Sequence, residues 1–279
     1  MIRRAIKSLI DLLVPLTGRT RAGRYFHDQV VRMAMAQTHD VAHGSVRVRL
    51  AVPNALCRYR AETFSSKEPE TLAWIDALPD GAVLWDVGAN VGLYSIYAAK
   101  RRNCRVWAFE PSVFNLEALA RNVHLSGVTD RVCLVPLALS DGLGPNVLRM
   151  TSTEWGGALS TFGEEYGHDG RKLEPVFEFQ ILGLSIEDAT ERLAIPCPDY
   201  IKMDVDGIEH LILKGGAAVL RGAKGILVEV NDDFEELAGQ CQALLSAAGL
   251  TLKEKVHAPA MADSPQFRNT YNQIWHRAS

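Results

Sequence analysis

No stretch of this sequence approaches the roughly 18 to 20 consecutive apolar residues of a membrane-spanning helix, so no span is expected. Cysteine is scarce and unpaired in pattern. Cys57, Cys104, Cys133, Cys197 and Cys241 are odd in number and widely spaced, with no C-x-x-C pair and no matching His cluster. That argues against a zinc site or a disulfide framework and suits a reducing cytosol. Cys104 and Cys133 lie in apolar runs and read as small core residues. An excess of one charge is missing too: 30 Lys+Arg against 33 Asp+Glu leave a formal net charge of −3. Wrapping nucleic acid by neutralising phosphates is therefore not its main task, and a small or neutral partner is expected. Internal repeats and low-complexity tracts are absent. What remains is an ordinary globular composition, 47% hydrophobic and 23% charged over 279 residues, enough for one or two domains at roughly 150 residues each.

The N-terminus carries a local bias. Through residue 32 there are seven basic residues against Asp11 and Asp28. A basic start, Met1 to Lys7, precedes a short apolar stretch, Ser8 to Leu16, but Asp11 interrupts it and no small-residue cleavage site follows, unlike a secretory signal. A docking or capping helix is the first reading, and contact with anionic lipid is the second. Alternating Val46, Val48, Leu50 and Val52, then Pro53–Asn54 and Leu56 to Tyr59, suggest a β-hairpin. Residues 1–65 are expected to form this helical and hairpin extension, and residues 66–279 the main domain.

A helix from Glu68 to Leu78 ends at the turn Pro79–Asp80–Gly81, and an alternation of apolar strands and amphipathic helices follows. Strands are expected over 83–87, 105–109, 132–139, 200–205 and 225–230, with helices over 92–100, 113–125, 208–220 and 233–248. This order predicts a largely parallel sheet covered by helices on both faces. The closing segments 250–256 and 271–275 have no helix between them and should pair antiparallel. Residues 151–178 break the rhythm with five glycines and read as a lid or binding loop.

The most informative stretch is Leu84-Trp-Asp86-Val-Gly88-Ala-Asn90-Val-Gly92, a glycine-rich turn between strand and helix. Glycine lets the backbone pass close to a ligand, and the helix start offers free N–H groups. Asp86 would repel a pyrophosphate but attract an ammonium, so the turn suits the methionine end of S-adenosylmethionine (SAM) better than NAD. Glu110, twenty-four residues later at the end of the second strand, can accept both hydroxyls of a ribose. Ala138-Leu139-Ser140-Asp141-Gly142 offers apolar contacts for an adenine face and a carboxylate for its amino group; a plain turn residue is the other reading of Asp141.

Together, Asp86-Val-Gly-Ala-Asn-Val-Gly92, Ala108-Phe-Glu-Pro111 with Asn115, Ala138-Leu-Ser-Asp-Gly142 and Ile201-Lys-Met-Asp-Val-Asp-Gly-Ile-Glu209 resemble the FkbM family of SAM-dependent methyltransferases over about residues 82–231. The resemblance implies a Rossmann-like, seven-stranded class I methyltransferase fold and methylation of hydroxyl groups on sugars, glycolipids or natural products. Asp86, Gly88, Asn90, Gly92, Glu110, Ser140 and Asp141 are the expected cofactor residues. The family usually reads Asp-Val-Glu-Gly where this chain has Asp204-Val-Asp206-Gly207, an acid shortened by one methylene.

Asp204, Asp206 and Glu209 gather where the fourth strand enters its helix, and Glu229 lies near the end of the fifth. One carboxylate can act as base for an acceptor hydroxyl, several can hold Mg²⁺, or Asp206 and Glu209 can simply cap the helix. Lys202 is an edge residue or a partner for one of these acids, and His168 and His210 are further base candidates. Trp155-Gly156-Gly157 suits either stacking on a sugar or a turn. Two other function classes compete: a nicotinamide-dependent oxidoreductase, against which the turn's departure from G-x-G-x-x-G tells, and a non-catalytic module on the same fold. A cytoplasmic protein is expected, with peripheral contact to the inner face of a membrane as an option of the basic N-terminus.

Overall fold

Residues 2–258, 264 and 266–277 are described by a computed structural model; Met1 and Ser279, the two ends of the expected domain layout, lie outside them. Helices α1 (Ile2–Thr17) and α2 (Arg21–Met35) form a hairpin: Thr20 caps α2 by accepting Gly23 N, and Thr17 Oγ1 lies 2.8 Å from His27 Nε2. Strands β1 (Thr38–His43) and β2 (Val46–Ala51) pair antiparallel around Gly44, which sits at φ +56°. The second arm expected at residues 56–59 is instead helix α3 (Ala55–Glu62), because Asn54 Oδ1 accepts Cys57 N at 2.8 Å and makes Pro53–Asn54 a helix start. The true partner of β2 lies upstream, where His39, Asp40 and His43 masked the strand pattern.

After α4 (Pro69–Asp76) the expected alternation appears: β3 (Val83–Val87), α5 (Leu93–Arg102), β4 (Arg105–Phe109), α6 (Val113–Leu125) and β5 (Val132–Val135). The strand expected over 132–139 divides. Leu137 N bonds back to Val135 O, and β6 (Ala138–Leu139) joins a second sheet. That sheet is built with β7 (Gly144–Met150), β8 (Ser160–Phe162) and β9 (Phe177–Leu184) in the order β6-β9-β7-β8; the stretch expected to be irregular, 151–178, is so over most of its length and contributes only β8 and the first two residues of β9. The five glycines of that stretch stand in the connections on either side of β8.

The chain continues through α7 (Ile186–Glu191), β10 (Tyr200–Met203), α8 (Glu209–Lys214), α9 (Ala217–Leu220), β11 (Gly225–Asn231), α10 (Glu235–Ala247), β12 (Leu250–Val256) and β13 (Thr270–Arg277). The single helix expected over 208–220 breaks at Gly215–Gly216, where a Cβ on Gly216 would meet Ile186 at 2.7 Å. The main sheet has the order β12-β13-β11-β10-β3-β4-β5. Strands β3, β4, β5, β10 and β11 are parallel, and β13 runs antiparallel to both its neighbours, as the missing helix implied. This is the seven-stranded, mostly parallel Rossmann-like sheet that was expected.

Strand alternation divides the core in two. Trp85, Val87, Phe109 and Met203 point to one face and pack with Ile212, Leu213, Leu237 and Leu245 of α8 and α10. Leu84, Val106 and Ala108 point to the other, against Leu72, Ile75, Ile96 and Leu119 of α4 to α6. Val46, Val48 and Leu50 of β2 join that second core, each contributing roughly 1.5–3 kcal/mol through burial. Within the stretch expected as an extension, it is α1 and α2 that leave their apolar faces exposed. Successive crossovers reverse direction between β3 and β10, which opens a crevice at their carboxyl ends.

Gly92 fixes the approach of α5 to α6 at that crevice: it sits at φ +83°, and a Cβ there would meet Leu119 Cδ1 at 2.2 Å. Gly92→Ala is therefore expected to cost about 2–4 kcal/mol, from left-handed strain plus overpacking, measured by urea unfolding.

Candidate active site

The turn after β3 is tied to the end of β4 by two hydrogen bonds, from Gly88 N and Ala89 N to Phe109 O. Glu110 follows immediately. It is 5% exposed, and its carboxylate accepts Asn90 N at 2.7 Å and Ser112 N at 2.8 Å. Burial pushes its pKa to about 7, against the pull of these donors. Asn90 takes up φ +50° to present that N–H.

A narrow, cleft-like cavity open to solvent lies at the carboxyl edge of β3, β4 and β10. Gly88, Asn90, Glu110, Asn115, Asp204 and Asp206 supply its polar border. Apolar cover comes from Ala138 and Leu139 after the third strand and from Leu148 and Phe162 of the second sheet. The last two escaped the sequence reading: Leu148 lies just ahead of the stretch read as irregular, in a segment given no element, where the apolar alternation Leu148, Met150 was the signal, and Phe162 lies within that stretch.

The glycine-rich segment lies across this cavity and is fastened at each step. Trp155 Nε1 donates to Glu117 at 2.6 Å and Trp155 O accepts Asn54 Nδ2; Gly156 O accepts Arg60 Nε at 2.7 Å. Gly157 O accepts both Asn90 Nδ2 and Asn115 Nδ2, at 2.7 and 3.0 Å. Leu159 N and Ser160 N donate to Asp206 Oδ2 at 2.7 and 3.3 Å. Trp155 thus packs beside Cys57, Val91 and Ala118 as a structural residue of the strap.

The expected site residues separate into distinct groups. Gly88 borders the cavity, and its lack of a side chain is also demanded by packing, since a Cβ would lie 1.8 Å from Asp204 O. Asp86 is buried behind the turn, outside the lining, with Ser95 Oγ donating at 2.6 Å. The cation it meets is Lys202, 3.6 Å away, because register aligns Lys202 with Asp86 across β10 and β3. Lys202 also reaches Asp204 at 3.3 Å and lies over the Tyr94 ring, 5.2 Å from its centroid. Burial alone would lower the Lys202 pKa, but Asp204 and Asp86 outweigh it and keep the ammonium charged. Ser140 and Asp141 also stand outside the lining: Ser140 N bonds Leu184 O, and Asp141 pairs with Lys214 at 2.9 Å on the surface. Once β6 leaves the main sheet, the chain after it packs on the Gly215 turn instead.

The three expected catalytic carboxylates also part company. Burial raises Asp204, but Lys202, Lys67 and Arg60 prevail and hold its pKa below the usual range. Burial and the charge of Asp204 push Asp206 up to about 6, with its backbone at φ +62°. Glu209 is 3% exposed, outside the cavity lining, and its Oε1 accepts Val205 N and Gly207 N at 3.3 Å each; these N–H groups precede α8, so the side chain braces the turn after β10 and does not cap the helix. Burial raises it to about 7. His168 and His210 lie outside the lining as well; His168 packs on Phe267 and His210 faces Phe234. Among the described residues no three His, Cys, Asp or Glu side chains converge on a metal-sized point, and Asp204 already has Lys202 as its counter-ion. Lys67 and Glu68, an ion pair on the approach to α4, add to the same charge cluster and carry no motif that a sequence would reveal.

The Methyltransferase FkbM domain family matches residues 86–251. A hexuronic acid methyltransferase, AglP of Haloferax volcanii, is 27% identical over 150 residues, which cover 53% of this chain and 56% of that protein. The chain thus spans about half the length of this curated relative. Among solved structures, precorrin-6y C5,15-methyltransferase of Geobacter metallireducens aligns with a TM-score of 0.46 at 18% identity, covering 78% of this chain and 89% of that one. M. jannaschii TYW2, in complex with AdoMet, aligns at 0.44 and 13% identity over 86% and 87% of the two chains.

Two stability measurements follow from the electrostatics. Lys202→Met strands Asp86 and Asp204 as buried charges and should cost about 3–5 kcal/mol in urea unfolding, part of it restored by adding Asp86→Asn. A carboxyl raised in the folded state stabilises the fold fully below its unfolded pKa of about 4.3, and that contribution is lost as pH rises through the folded value. The melting temperature should therefore fall between about pH 5 and pH 8. Glu209→Gln should flatten that fall by recovering at most roughly 3 kcal/mol at the alkaline end.

Proposed function

Because the chain belongs to the FkbM methyltransferase family, we propose that it transfers the methyl group of SAM to a hydroxyl oxygen of a saccharide acceptor. The observation that carries this is the cavity at the strand ends, which brings Glu110 and the pair Asp204 and Asp206 to one space. Glu110 is held by two backbone donors and keeps lone pairs for the two hydroxyls of a ribose. Leu139, Leu148 and Phe162 give an apolar wall for adenine. Asn90 borders the cavity, and its Oδ1 is buried without a partner, an acceptor left for a ligand N–H or O–H.

SAM supplies the electrophilic methyl group when bound. The chain's own contribution is orientation and proton management. Asp204, fixed as an anion by Lys202, accepts a hydrogen bond from an acceptor hydroxyl and holds it in place. Asp206 exchanges its proton near neutral pH, which matches it to the base that takes the hydroxyl proton as the new O–C bond forms. The strap from Trp155 to Ser160 keeps water from the crevice, and its hydrogen bonds to Asp206 link that exclusion to the base. A saccharide is favoured as the acceptor by the hexuronic acid substrate named for the relative AglP.

Calorimetry and labelled methyl transfer together test this reading, with SAM, S-adenosylhomocysteine and a panel of saccharides that includes a hexuronic acid. Glu110→Ala should weaken SAM binding at least about tenfold. Asp206→Asn should keep SAM binding while kcat falls about 100-fold or more. Unchanged SAM affinity in the first variant, or unchanged turnover in the second, would remove the corresponding assignment.

A further inference from the structure

We infer that the α1–α2 hairpin is a docking surface for an anionic lipid bilayer, with both helices lying in the plane of the headgroups. On α1, Ile2, Ile6, Leu9, Leu13 and Leu16 recur at helical spacing, flanked by Ile10 and Leu12. They form a continuous apolar arc, and Arg4, Lys7, Ser8 and Asp11 occupy the opposite side. Every one of those apolar side chains is exposed, Leu9 at 54% and Leu13 at 46%. On α2, Phe26, Val30 and Met33 form a second exposed apolar face, and the helix buries no residue at all. Most of the large apolar side chains that the described residues leave exposed lie in this hairpin. Patches of this kind mark a surface that is covered in use.

The hairpin is a built unit. Thr17 Oγ1 meets His27 Nε2 at 2.8 Å, and Arg24 donates to Gly18 O and Arg19 O. A Cβ on Gly23 would lie 1.9 Å from Thr17 O, so α2 crosses the end of α1 at backbone contact. The apolar faces are thus held ready in the folded chain.

Charge selects the occupant. The hairpin carries seven basic residues against two acidic in a chain whose formal net charge is −3. Both acids are already engaged one turn away, Asp11 with Lys7 at 2.7 Å and Asp28 with Arg32 at 2.9 Å. Arg4, Arg19, Arg21 and Arg24 remain to set the field of the surface. A second copy of the same face would bring like charge against like charge, whereas anionic headgroups neutralise it. The apolar arc of α1 is also broader than the two-in-seven seam of a coiled coil, and it matches the wide face of an interfacial helix. At 16 residues α1 is too short to cross, and among the described residues no helix is long and apolar enough to do so.

Flotation of the full chain with phosphatidylcholine vesicles, with and without phosphatidylglycerol, is the test, paired with light scattering and the urea midpoint of each variant. The chain should float with the anionic vesicles, progressively less as salt rises, and stay behind with neutral ones. Leu9→Glu with Leu13→Glu should abolish flotation at an unchanged urea midpoint, since neither side chain contributes to the core. Arg4→Gln with Arg21→Gln should weaken it by about fivefold for each cation removed. Failure of the wild type to float, or equal flotation with both vesicle types, would overturn the inference. So would a dimer in solution that the leucine pair dissolves without any vesicle binding. None of these readouts depends on methyl transfer, so this inference and the proposed activity stand or fall separately.

Discussion

A single buried cation organises the cavity end of this molecule. Lys202 lies on the central strand β10, nine-tenths or more removed from solvent, with Asp86 beside it across the ladder and Asp204 two residues ahead. An ammonium in such a place is tolerable only with counter-ions at contact distance, and the two carboxylates need it equally. The mutual requirement fixes how the ends of β3 and β10 meet. Those ends carry the glycine turn and the Asp204–Asp206 segment, so the crevice takes its shape from an ion pair that never borders it on the Asp86 side.

From that constraint a division of labour among the acids follows. Asp204 stays ionised because two lysines and an arginine face it; Asp206, two residues later, is pushed the other way by burial and by Asp204 itself. Neighbouring carboxyls with opposed environments are what an acid–base site requires. Glu229 sits farther along the same cluster and is raised by burial together with the charges of Asp204 and Glu68, so added negative charge is already resisted there. Asp206 also holds the strap across the cavity, so the carboxyl proposed as the base and the anchor of the strap are one side chain.

The second sheet matters for a different reason. A Rossmann-like sheet ends in an open crevice, and cover must come from an insertion. Here the chain between β5 and α7 folds into four strands whose Leu148 and Phe162 close one side of the cavity, while its Trp155–Ser160 segment is tied to α3, α6 and the Asp206 turn. Arg60 of α3 and its cap Asn54, beside a segment the sequence read as a hairpin arm, thereby become part of the strap's anchorage.

The sequence by itself determined the seven-stranded architecture, because apolar runs of strand length alternating with helices of 3.6-residue period admit few alternatives, and the missing helix between β12 and β13 dictated their antiparallel pairing. It also determined the turn Gly88–Gly92 and the place of Glu110, since both depend only on where a strand stops. Local capping misleads: Pro53–Asn54 reads as a hairpin turn, and the hydrogen bond from Cys57 N to Asn54 makes it a helix start. Tertiary structure alone decided what each acid faces. Lys202 and Asp86 are far apart in sequence and meet through strand register; Asp141 turns outward because β6 abandons the main sheet; Glu209 braces the turn before α8 while Asp206 borders the cavity. Side-chain partners across strands and across an insertion are products of packing, and a pattern of spacing along one chain holds no record of them.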